Sequence, residues 1–313
     1  MPYINHGHFM LKALPKIPNE LLELMATVGP NWSVNRPNNI QTMLNSFSEV
    51  LKAMPREDIN VRPNIAYGTH PRQQFDLYMP TGGATKGRIV LFVHGGAFMD
   101  GHRNRTDEIY SNVSYYLARN GIAAINIGYR LGNDAPFPAG SDDIAAVVKW
   151  THEHAKEIGI DRSRIFLMGH SAGAAHAGSY AYDKRRHPAD GPGLAGLIVV
   201  SGRVRAETLA DNPNADKVRA YYGTDDTATL DDLSPVSHIG SDSVPAFIAW
   251  GEFENPLIDV HCAELAYRLA DAKRRAPSVI SLRGHNHTST IGHIGTADEK
   301  LGQALIEFIA DPR

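Results

Sequence analysis

Of all stretches in this 313-residue chain, Arg164-Ile165-Phe166-Leu167-Met168-Gly169-His170-Ser171-Ala172-Gly173 most restricts the fold. Its apolar run reads as a strand buried on both faces. Ala174-Ala175-His176-Ala177-Gly178 beyond it reads as a helix of small residues. The chain must turn sharply between the two. Gly169 and Gly173 flank that turn, where side chains would collide with the neighbouring strand and helix. A buried strand leading straight into a helix belongs to a parallel sheet covered on both sides.

The rest of the chain agrees. Residues 74–79 alternate like a half-exposed strand, and 88–93, 122–127, 197–200 and 244–250 are nearly continuous apolar runs. Residues 279–282 make a plausible last strand. Helical spacing occupies 106–120, 141–158, 171–186, 258–272 and 298–309. The expected fold is α/β: a mostly parallel twisted sheet of about eight strands with helices on both faces. The first sixty residues differ. Helical spacing at 19–25 and 40–51 is broken by Gly29-Pro30 and Arg36-Pro37. Two short amphipathic helices cannot bury their faces alone and should lie on the body that follows. The expected organisation is an N-terminal helical cap segment, 1–60, and a catalytic body, 61–313.

Ser171, raised on such a turn, has the placement of a nucleophile, with a helix N-terminus behind it supplying partial positive charge. Upstream, His94-Gly95-Gly96-Ala97-Phe98 follows another buried strand. Its glycines let backbone N–H groups approach a ligand. With the N–H of Ala172, those of Gly95 and Gly96 would form an oxyanion hole. His94 itself reads as a brace for the loop. A serine nucleophile needs a base, and the base an orienting acid. Gly284-His285-Asn286-His287 after the last strand offers two histidines, and Trp250-Gly251-Glu252-Phe253-Glu254 with Asp259 offers three acids. Glu254 lies four residues beyond Trp250, where a loop can turn toward the histidines. Glu252 should still be tied to the strand end, and Asp259 should serve a helix N-terminus.

Together these motifs resemble the α/β-hydrolase superfamily, on its hormone-sensitive-lipase, carboxylesterase and kynurenine-formamidase-like side. The resemblance spans roughly Val61 to Pro312. His94-Gly95-Gly96-Ala97-Phe98 is similar to its H-G-G-x-W/F motif. Tyr129-Arg130-Leu131 with Pro136-Phe137-Pro138-Ala139 and Asp142-Asp143 is similar to Y-R-L…P-F-P-A…D-D. Leu233-Ser234-Pro235-Val236 resembles the S-P segment ahead of the penultimate strand, Gly251 to Pro256 the G-x-x-D-x-P acid turn, and Asn286-His287-Thr288-Ser289 the N-H-x-S loop. The resemblance implies Ser171 as nucleophile, His287 as base and Glu254 as acid, in the chain order serine, acid, histidine. Two departures stand out: Glu254 replaces the usual aspartate, and Ala97 the third glycine. The latter leans toward the formamidase-like and feruloyl-esterase-like branch. By the same resemblance, the N-terminal segment would cap the site, with Phe9, Met10, Leu21, Leu22, Leu24, Met25 and Trp32 as apolar cover.

Composition excludes other classes. Lys plus Arg total 31 against 34 Asp plus Glu, a net charge of −3 without a block of one sign, which argues against nucleic-acid or anionic-membrane binding. The single cysteine, Cys262, excludes an intrachain disulfide and a multi-cysteine zinc site; it reads as a small core residue. No run approaches the ~20 apolar residues of a membrane helix. His6, His8, Lys12, Pro15, Lys16 and Pro18 interrupt what would be the apolar part of a signal peptide, so a cytoplasmic location is expected. His152 and His154 lack the H-E-x-x-H spacing, and no phosphate-binding glycine loop follows a strand. Asp142 and Asp143 should cap a helix or pair with Arg130, and Asp225 and Asp226 read as turn residues. No metal or organic cofactor is expected. The reading is a serine carboxylesterase acting on short-chain or aromatic esters, a small-molecule substrate. An arylformamidase using the same residues is the alternative, and a catalytically silent binding protein a more distant one. Oligomeric state stays open between a monomer and a homodimer.

Overall fold

A computed structural model describes residues 12–81 and 85–312. His6, His8, Phe9 and Met10 lie outside the described residues. Helices α1 (Asn19–Val28) and α2 (Arg36–Leu51) come first, then β1 (Ile59–Ala66), β2 (Gln74–Pro80), β3 (Ile89–Val93), α3 (Ser111–Arg119), β4 (Ala123–Ile127) and α4 (Ala139–His154). The central pair β5 (Ile165–His170) and α5 (Ala172–Tyr182) follows. The remainder is β6 (Gly196–Val200), α6 (Ala215–Tyr222), α7 (Thr227–Asp232), β7 (Ala246–Phe253), α8 (Ile258–Lys273), β8 (Ser278–Asn286), α9 (Ser289–Gly292) and α10 (Lys300–Ala310).

The eight strands form one sheet in the order β1-β2-β4-β3-β5-β6-β7-β8. β1 and β2 run antiparallel at one edge, and from β4 to β8 all neighbours are parallel. In β3 all five residues are buried, and they alternate between two cores. Val90 and Phe92 join the core under α1, α2, α3 and α10. Ile89, Leu91 and Val93 join the core under α4, α5 and α8. Each such buried side chain contributes roughly 1.5–3 kcal/mol. Cys262 lies wholly inside the second core, as expected.

Helices α1 and α2 do rest on the body, and they do so as core. Met43, Phe47 and Leu51 of α2 are fully buried alongside sheet residues. Phe47 packs on Gly292, where an added Cβ would stand 2.8 Å from its ring. Leu21, Met25 and Trp32 are buried, whereas Leu22 is exposed. Trp32 Nε1 donates to Asn255 Oδ1 at 2.9 Å, tying this segment to the loop after β7.

Three differences from the sequence reading have local causes. β1 has a mostly exposed pattern and so no apolar run. α3 starts at Ser111 rather than near 106, because Tyr110 takes a positive φ of 79° that no helix admits. β7 runs on to Phe253, whose partner is Asn286 of β8 beyond an irregularity in the register, so Glu252 lies within the strand. Asp143 meets Arg130 as expected, with Nη2 to Oδ1 at 2.7 Å. Asp226 is more than a turn residue: its side chain caps α7 by accepting from the Thr229 N–H at 2.8 Å. Among the described residues no helix is long and apolar enough to cross a membrane.

Candidate active site

Sheet register gathers the site. Val93 pairs with Gly169, which sets the His94–Gly96 loop against the turn after β5. His170 pairs with Val200, which brings Ser201 to the same edge. Phe253 pairs with Asn286, so Glu254 and His287 leave adjacent strands side by side. All of these residues follow the carboxyl ends of parallel strands, where open α/β sheets hold their ligand crevices.

Ser171 sits between β5 and α5 at φ 54° and ψ −123°, a conformation costing about 1–3 kcal/mol in a non-glycine residue. Its neighbours hold it there. Its N–H donates to Val200 O at 3.2 Å, and its own carbonyl accepts from the N–H groups of Arg203 and Ala174 at 3.0 and 3.1 Å. The flanking glycines are required by close approach. A Cβ on Gly169 would lie 2.5 Å from Ala174 Cα, and one on Gly173 would lie 2.3 Å from Val93 O.

Ser171 Oγ lies 3.0 Å from His287 Nε2, and His287 Nδ1 lies 2.6 Å from Glu254 Oε2. A carboxylate can only accept, so the ring proton sits on Nδ1 and Nε2 is left to accept the serine hydroxyl. Glu254 is itself anchored. Its Oε1 accepts from Ser201 Oγ at 2.6 Å and from the Gly251 N–H at 2.8 Å. The side chains of His287 and Glu254 are 7% and 3% exposed, so this hydrogen-bonded chain is shielded from bulk water.

The other candidates lie elsewhere. Glu252 Oε2 accepts from the Gly284 N–H at 2.8 Å, bracing the β7–β8 pair. Asp259 occupies the first turn of α8. His285 points away from Ser171, with Nδ1 3.1 Å from Ser289 Oγ and Nε2 3.1 Å from Asp298 Oδ2. That hydrogen bond holds the Asp298 carboxyl well below the usual range. His285, His293 and Asp298 are the one group among the described residues whose donor atoms, within 4.8 Å of one another, could hold a metal ion. The group is separate from the Ser171–His287 pair.

The oxyanion candidates surround the serine. Gly95 approaches so closely that a Cβ there would be 3.0 Å from Ser171 Cβ. Its N–H faces the Tyr110 hydroxyl, whose pKa burial pushes up to about 12. No acceptor is paired with the N–H of Gly96 among the described residues. Gly96, Ala97 and Phe98 all have positive φ, at 148°, 48° and 70°. Ala172 opens α5, so its N–H has no partner within the helix. His94 is fully buried, stacked on Tyr129 with centroids 4.3 Å apart, and pushed down to about 3 by burial, which suits a neutral brace.

Two contributors have no signal in the sequence. Ser201 supports Glu254. His170 links two segments, with Nδ1 3.3 Å from the Tyr110 hydroxyl and Nε2 3.2 Å from the His287 carbonyl oxygen; burial, then the nearby His287, holds its pKa well below the usual histidine value. α2 supplies a wall. A cavity of about 320 Å³ opens over Ser171 and His287, lined by Arg36, Ile40 and Leu44 of α2 together with Ile109 and Ile291. α2, rather than the α1 residues expected to give apolar cover, meets the cavity. A second cavity, of about 390 Å³, lies near Lys184 and His187 and is not lined by Ser171 or His287.

The BD-FAE family model matches residues 75–269, more than half of the chain. Ethyl acetate hydrolase of Pseudomonas putida is 33% identical over 94 residues, which cover 30% of this chain and 29% of that protein. Versiconal hemiacetal acetate esterase of Dothistroma septosporum is 28% identical over 165 residues, 52% of this chain and 49% of that one. The chain thus spans at most about half the length of the curated relatives it matches. A bacterial heroin esterase structure superposes with a TM-score of 0.67 at 22% identity, covering 96% of this chain and 95% of that one. An esterase/lipase from an uncultured bacterium superposes with a TM-score of 0.67 at 19% identity, covering 87% and 91%. These likenesses show the α/β-hydrolase fold.

Proposed function

The chain belongs to the BD-FAE family, and from that premise we propose that it is a serine carboxylesterase cleaving short-chain or aromatic esters. The observation that carries this reading is the relay from Ser171 through His287 to Glu254, at 3.0 and 2.6 Å, beneath an open cavity.

In this mechanism Ser171 Oγ attacks the ester carbonyl carbon while His287 Nε2 takes the hydroxyl proton. Glu254 holds the resulting imidazolium through Nδ1–H. The N–H groups of Gly96 and Ala172 receive the developing oxyanion, while that of Gly95, turned to the Tyr110 hydroxyl, holds the loop; losing one oxyanion donor costs about 3 kcal/mol of transition-state stabilisation. His287 then returns its proton to the leaving alcohol, and the acyl group stays on Ser171. Water, deprotonated by His287, releases the acid by the same steps in reverse.

The cavity of about 320 Å³ lies at the small end of ligand sites, which favours short acyl or single-ring aromatic groups over long-chain triglycerides. Matches to an ethyl acetate hydrolase and an acetate esterase support small acyl groups. The test is kcat/KM across p-nitrophenyl esters from acetate to laurate, run beside N-formylkynurenine. A maximum at short acyl lengths is expected. Preferred turnover of N-formylkynurenine over every ester would replace it with an arylformamidase.

A further inference from the structure

We infer that the ester taken by this cavity carries an anionic group, received by Arg36 and Arg105. This rests on the esterase reading above and narrows its substrate class.

The charged lining of the cavity comprises Arg36, Arg105, Lys217 and Asp100. Lys217 Nζ and Asp100 Oδ2 meet at 2.6 Å and neutralise each other. Arg36 and Arg105 remain, and among the described residues neither side chain has a hydrogen-bond or ion-pair partner. Carboxylates are not scarce in a chain of net charge −3. Arg103, Arg130, Arg185 and Arg205 each hold one at 3.0 Å or less. Arg36 and Arg105 stand out by position, since both lack a partner and line the cavity over Ser171.

Arg36 is also placed against helical electrostatics. It opens α2, at the positive end of the helix dipole, where acidic residues are favoured and cations are not. The first turn of α2 has no acidic residue, and Asn35 makes no capping bond. Arg203, almost wholly buried nearby, adds a further positive charge that repels Arg36. Arg203 pairs with Glu207 at 3.0 Å and leaves Nη2 without a partner. Burial takes the Arg36 guanidinium partly out of water and lowers its pKa. A ligand anion supplies the missing counter-ion, and guanidinium forks match carboxylate and phosphate oxygens two at a time. Ile40, Leu44, Ile109 and Ile291 would cover the apolar remainder of the ester.

The experiment compares kcat/KM for 4-acetoxybenzoate and 4-acetoxyphenyl phosphate with the neutral 4-acetoxybenzamide. Monoethyl and diethyl adipate place the charge on the acyl side. At least one anionic ester should exceed its neutral counterpart by about tenfold or more, the scale of one or two charge-assisted hydrogen bonds. That ratio should fall toward one in R36Q/R105Q, persist in part in R36K, and shrink as salt is added. The relative gain of the carboxylate and phosphate arms identifies the anion. Neutral esters turned over as well as every anionic partner would overturn the inference and leave the esterase standing. An unchanged ratio in a folded R36Q/R105Q would do the same. No turnover of any ester, with Ser171 unreactive toward a fluorophosphonate, would instead remove the esterase reading.

Discussion

Replacing Glu254 with glutamine keeps the shape of the side chain and removes its charge, and the surrounding hydrogen bonds leave the amide no good orientation. If its oxygen takes the place of Oε1, it still accepts from Ser201 and from the Gly251 N–H. Its NH2 then faces His287 Nδ1, which must give up its proton to accept. The proton moves to Nε2, and the face toward Ser171 becomes a donor that cannot act as a base. If the amide flips, Nδ1–H keeps an acceptor, but the NH2 meets the Gly251 N–H donor in a buried site and the imidazolium has no anion beside it. Both states are costly. By analogy with the serine-protease triad, the loss in kcat approaches ~10⁴-fold, or about 5 kcal/mol of transition-state stabilisation. The assay is steady-state hydrolysis of p-nitrophenyl acetate, with circular dichroism and Tm showing that the variant is folded. E252Q and D259N, which remove the strand brace and the first-turn acid of α8, should each stay within about tenfold of wild type. An E254Q enzyme within tenfold of wild type, or a D259N enzyme more damaged than E254Q, would refute this assignment of the acid.

Ser201→Ala removes the 2.6 Å donor to Glu254 and should lower kcat by about ten- to a hundredfold with little change in KM, the scale of one hydrogen bond to a charged group; an unchanged kcat would show that Ser201 does not position the acid. Phe47→Ala empties a fully buried site against Gly292 and should cost about 3–5 kcal/mol in urea unfolding, whereas a cost under about 1 kcal/mol would mean that α2 is a detachable cap. His94, His176 and His293 are each pushed down to about 3 by burial, while an unfolded histidine titrates near pH ~6.5. Between those values the unfolded chain binds more protons than the native one, so stability is lost as the pH falls through that window. The slope is up to about 1.4 kcal/mol per pH unit for each histidine, and unchanged denaturant midpoints from pH 7 to 4 would contradict it.

Strands β3 to β7 were legible because they are largely buried on both faces and therefore read as nearly unbroken apolar runs. β1 was not, since Asn60, Arg62, Pro63 and Asn64 give an exposed edge no periodic signal. α6 and α7 are short, with few buried residues, and their patterns are too brief to register. Within the site, Ser171 could be read because strand, glycines and helix all lie in one stretch of chain. Ser201 and Thr290, 2.9 Å apart beside Glu254, come from separate segments brought together only by the pairing of β6, β7 and β8. The N-terminal segment was expected to cap the site, but α2 was not singled out as the cavity wall. Its apolar face is spent on the core, and only the packed structure shows that the start of the helix overhangs Ser171.

In the proposed mechanism one serine carries the chemistry. The most direct test is peptide mass spectrometry after reaction with a fluorophosphonate, on the wild-type protein and on S171A, with ester hydrolysis followed in parallel. A single adduct is expected on the peptide bearing Ser171, with no adduct in S171A and a fall in turnover of several orders of magnitude in that variant. An adduct on a different residue, or S171A hydrolysing esters near the wild-type rate, would contradict it.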